Sequence, residues 1–181
     1  MRAQPEGGRL QASSELIGIA EIGIGMAGFA GVAAAILLSR SYQRDDQLRF
    51  SALFFATIAV VVLAYIPRLF SLGGMADEAV WNWSSAAFLV VSALALPLGV
   101  TIAREARTFE KVPPRWAFLP LWILFAGAPV LQLLNLLGLA GQSGPVPYLM
   151  GLIFWLLAAA ILFVIIVLLR PSNPIVHGEA L

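Results

Sequence analysis

The stretch that decides the fold is Leu16–Leu38, "LIGIAEIGIGMAGFAGVAAAILL". It holds G-x-G-x-x-G at Gly23, Gly25 and Gly28. That spacing suits a dinucleotide-binding turn only where a strand precedes it, a helix opens at it and the phosphates reach water. Here the glycines sit inside an uninterrupted apolar run, with no strand ahead of them. No nucleotide is expected. The run is 23 residues long, enough at about 1.5 Å per residue for a helix to cross the hydrocarbon core.

Four more runs resemble it: Phe50–Ile66, Ala79–Ile102, Trp116–Leu139 and Val146–Leu169. In lipid each span must satisfy its own backbone, and no barrel-like alternation is present, so the spans are helices. The composition agrees: 60% of the 181 residues are hydrophobic and 12% are charged, against about a quarter charged in soluble domains. Mean hydropathy is +0.90. The expected fold is an all-α, polytopic bundle of five transmembrane helices in one domain, 15–170. A flexible polar tail, 1–14, precedes it, and a second tail, 171–181, follows.

Loops one and three carry seven basic residues, Arg40, Arg44, Arg49, Arg104, Arg107, Lys111 and Arg115; loops two and four carry only Arg68. The positive-inside rule therefore predicts an external N-terminus and a cytoplasmic C-terminus. In a bacterium that means the inner membrane. Trp81, Trp83, Trp116 and Tyr148 open helices three, four and five, where aromatic rings favour the headgroup level. Pro113-Pro114 is expected to stop the extension that carries Arg104 to Glu110.

Within the first span Gly23, Ala27, Gly31 and Ala35 recur every four residues, a small-xxx-small pattern that lets two backbones approach. Gly25 and Gly28 fall on the face of Glu21, so this face is expected to be a packing face, with the carboxyl turned into protein. Glu21 is the one charged side chain well inside an apolar run, and a carboxylate there costs at least ~2.5–3.5 kcal/mol. It is a candidate interhelical hydrogen-bonding group, a candidate ion or proton site, or a snorkelling side chain. Arg68, after Pro67, is its candidate partner at comparable depth. In the fourth span Gln132 and Asn135, one turn apart, add to an expected polar layer in the outer leaflet. Pro129 and Pro97 are expected kinks.

The absences narrow the function. No lysine, histidine or cysteine lies in a span, and the lone glutamate makes no acid/base pair. No enzyme, cofactor or metal site is expected. A net charge of +1 gives no footprint for nucleic acid. Beyond the bilayer, the partners expected are copies of the chain or other membrane subunits. The reading is a homo-oligomeric channel or pore-like protein with an acidic site at Glu21. The alternative is a non-catalytic subunit or sensor docking through the small face of its first helix.

"VPPRWAFLPLW", Val112–Trp122, is similar to the proline- and tryptophan-rich loop of the tryptophan-rich sensory (translocator) proteins, which also have five helices. The similarity covers those residues alone. In that family the motif precedes the second helix, and here it precedes the fourth. No function is carried over from it.

Overall fold

The computed structural model describes residues 6–38, 44–105, 119–139 and 144–168. These form five α-helices: α1 (Glu6–Leu38), α2 (Arg44–Leu72), α3 (Asp77–Glu105), α4 (Leu119–Leu136) and α5 (Pro145–Leu168). There is no strand among the described residues. Each helix contains a segment long and apolar enough to cross a membrane: Ala12–Ile36, Phe50–Leu72, Asp77–Thr101, Leu119–Leu136 and Pro145–Ile165. The expectations for Pro113-Pro114, Trp116 and the tail 171–181 lie outside the described residues, as do most of the basic residues in loops one and three.

Two boundaries differ from expectation for physical reasons. α1 begins at Glu6, so much of the stretch expected as a flexible tail is helical. Once a helix is nucleated, each added residue gains a hydrogen bond at little further entropic cost. α2 was expected to stop at Ile66, before Pro67, yet it runs through the proline to Leu72. Pro67 has no N–H for the carbonyl four residues back. That carbonyl belongs to Leu63, and the Tyr148 hydroxyl of α5 donates to it at 2.6 Å. The bond the proline removes is replaced from another helix, so α2 continues.

α2 ends in a Schellman motif. Gly74 takes φ +78°, its N–H reaches Ser71 O at 3.1 Å, and Met75 N–H reaches Phe70 O at 3.3 Å. α4 ends the same way on Gly138, φ +68°, with Leu139 N–H on Leu134 O at 2.9 Å. α4 runs through Pro129 and α3 through Pro97 without ending.

α5 is the hub, in contact with all four other helices, while α1 touches only α2 and α5. Its span is also the most apolar, with mean hydropathy 2.6. Tyr148, Leu152 and Trp155 fill the centre with Leu63, Val60 and Phe88. The rings interlock: Phe88 meets Trp155 at 5.2 Å and Tyr148 edge-on at 5.9 Å, while Phe125 stacks on Trp155 at 5.7 Å. Such pairs add to the stabilisation from area burial.

Candidate functional site

Two places in this bundle carry polar chemistry, and they differ in kind. The first joins α3, α4 and α5 near the end of the bundle that holds the α2–α3 turn. Gln132 and Asn135 sit one turn apart on α4, and both are buried, at 0% and 1% exposure. Ser85 of α3 lies between them. Asn135 Nδ2 donates to Ser85 Oγ, Ser85 Oγ donates to Gln132 Oε1, and Gln132 Nε2 donates to Pro147 O, each at 2.9 Å. The last acceptor is a carbonyl in the first turn of α5, whose second lone pair can take the amide beside the bond within its own helix. Gly151 makes room, since a methyl group there would overlap the Gln132 amide. Thus Gln132 and Asn135 are brought together by Ser85 of α3.

The buried hydroxyls of Ser84, Ser92 and Thr57 turn back onto their own helices. Ser84 donates to Val80 O at 2.7 Å, Ser92 to Phe88 O at 2.9 Å and Thr57 to Leu53 O at 3.0 Å. Such i−4 bonding satisfies the hydroxyl locally and links nothing. Tyr148 was expected at the headgroup level. It is instead fully buried, with its hydroxyl on Leu63 O. The missed signal was Pro67: a proline inside an apolar run exposes a carbonyl that needs a donor.

The second place is the outer face of α1. Glu21 is exposed there, which corrects the expectation that it points into the protein. The buried stripe of α1 runs Ala12, Leu16, Ile19, Gly23, Ala30 and Ala34, close to an alternation of three and four residues. A strict four-residue repeat advances 400° per step and so drifts about 40° around the helix each time. Gly23 lies on the buried stripe, where a Cβ would come within 2.9 Å of Val61 Cγ2. A Cβ on Gly31 would lie 3.4 Å from Phe54 Cζ, and Ala35 has turned outward. Glu21, two residues before Gly23, points about 160° away.

Gly25 and Gly28 point the same way. A Cβ on either would meet nothing within 4 Å, so they are not packing glycines among the described residues. Arg68 is also exposed, and no ion pair joins it to Glu21 among the described residues. The contacts of Gly23 with Val61 and of Gly31 with Phe54 fix the antiparallel register of α1 on α2. Continued along the helices, that register sets Glu21 level with Leu63, and Arg68 about five residues, or ~7.5 Å, nearer the α2–α3 end. The two are therefore neither level nor on facing sides. Gln132 and Asn135 lie in the α3–α4–α5 core, and α4 does not touch α1.

Among the described residues no group of three or more His, Cys, Asp or Glu side chains could hold a metal ion. The arrangement therefore offers one neutral, buried hydrogen-bonded chain and, at Glu21, an outward-facing carboxyl well inside a span. Comparisons with protein-family models, with curated proteins and with solved structures find no match to this chain.

Proposed function

We propose that this chain is a multi-pass integral membrane protein that assembles with copies of itself through the outward face of α1. In this reading the assembly surrounds a path for cations or protons that passes Glu21. The carrying observation is the position of that glutamate. It is exposed inside the span Ala12–Ile36, about 13 Å from the nearer end at 1.5 Å per residue. A carboxylate facing lipid at that depth is costly, so a partner or a wet surface must come from outside the protomer.

The surroundings of Glu21 support a protein neighbour. Ser14, Gly18, Glu21, Gly25, Gly28, Val32 and Ala35 follow one another at alternating steps of four and three residues. This heptad spacing keeps a seam facing a second helix. All but Val32 and the glutamate are small, as membrane helix interfaces prefer. The interior of the protomer supports a path between subunits over one within a subunit, since large side chains fill its centre. The basic residues of loops one and three favour an external N-terminus in a cytoplasmic membrane. A single carboxyl with no acid/base partner beside it favours a non-catalytic role.

Reconstitution tests this. The parent protein in liposomes should pass protons or monovalent cations, and Glu21→Gln should reduce the flux at least tenfold while leaving the assembly intact. A parent that conducts nothing but copurifies with a different membrane protein would shift the reading to the docking subunit.

A further inference from the structure

The polar chain of α3, α4 and α5 has a direction, and its direction leaves an unmet requirement. Pro147 O can only accept. Gln132 must therefore turn its NH₂ toward it, which turns Oε1 toward Ser85. Oε1 can only accept, so the Ser85 hydroxyl proton is committed to it. Ser85 Oγ can then only accept from Asn135, which turns Nδ2 toward Ser85 and Oδ1 away. No amide in the chain can be flipped without setting two acceptors against each other.

The chain thus ends on Asn135 Oδ1, a buried acceptor to which no group among the described residues donates. A second buried acceptor in the same condition is Asn82 Oδ1. Asn82 precedes Ser85 by three residues on α3, which puts it on the same face one turn nearer the α2–α3 end. Buried oxygens of this kind are rarely left unpaired, and an unpaired one costs on the scale of a lost hydrogen bond.

We propose that Asn82, Ser85 and Asn135 form a binding site for one water molecule, which donates to Asn82 Oδ1 and Asn135 Oδ1. The chemistry of the site selects water. Both unmet atoms are acceptors, and one water supplies two donors. Both acceptors are neutral amides, and the cluster contains no carboxylate to offset the desolvation of a cation. The site lies near the α2–α3 end of the bundle, within reach of the surface. This inference is independent of the role of Glu21.

A structure of the full-length protein in lipid, at a resolution that shows ordered waters, tests it. The expected result is one water within hydrogen-bonding distance of both Oδ1 atoms, lost or reduced to low occupancy in Asn82→Leu. Four results would overturn the proposal: no water there in the parent, direct donation to Asn135 Oδ1 by Asn82 Nδ2, donation by a group in segment 140–143, or an ion ringed by several oxygens at coordination distance. If Asn82→Leu does not fold, the parent structure alone decides.

Discussion

The α3–α4–α5 core and the outer face of α1 handle polar groups in a mostly apolar chain in opposite ways. In the core, Gln132, Asn135 and Ser85 are buried and hydrogen-bonded to one another, with Asn135 Oδ1 the one acceptor left over. On α1, Glu21 carries the costlier group, is exposed, and has no ion-pair partner among the described residues. The core chain is therefore explained by the fold of a single chain, and the glutamate is not. A buried polar group with complete partners argues for structure. An ionisable group without partners, placed where solvation is poor, argues for something outside the protomer.

Substitutions that move a group across this divide should separate the two regions. The largest effect is expected at Gly151→Val, which drives a side chain into the Gln132 amide. Overpacking and the broken Gln132–Pro147 bond together should cost ~3 kcal/mol or more. Denaturation in mixed micelles would measure it, and a parent-like midpoint would remove the core chain from the account. Tyr148→Phe should follow, at about 1–2 kcal/mol, because it leaves the Leu63 carbonyl beside Pro67 without a donor.

The glycines of α1 give a sharper contrast. Gly23→Ala places a methyl 2.9 Å from Val61 Cγ2 and should destabilise by roughly 1 kcal/mol. Gly25→Ala, in open space, should leave protomer stability unchanged or raise it by up to ~1 kcal/mol through helix propensity. Equal effects at the two positions would erase the distinction between an inner and an outer face. The smallest effect on protomer stability, within about 0.5 kcal/mol, is expected for Glu21→Gln. A large loss there would mean that the carboxyl has a partner inside the chain.

The five helices were legible because span length and apolarity are local properties, summed along the chain. The pairing of Gln132 with Asn135 was half legible: a spacing of three residues puts them on one face, but only the packing of α3 supplies Ser85. The continuation of α2 through Pro67 was not legible. Whether that proline ends the helix depends on a hydroxyl 85 residues away from Leu63 in the sequence. The facing of Glu21 failed for a geometric reason. The four-residue repeat of Gly23, Ala27, Gly31 and Ala35 was read as one face, although it winds around the helix, and the heptad carrying Gly25 and Gly28 is the opposite one.

The central claim is that the outward face of α1 is an interface, and its oligomeric state tests this most directly. Native mass measurement of gently solubilised parent protein should give a defined homo-oligomer. Gly28→Leu fills the seam without touching the protomer core, and it should give monomers of unchanged helicity and melting midpoint. A parent that is monomeric and captures no membrane partner, or a Gly28→Leu variant that assembles as the parent does, would contradict the account.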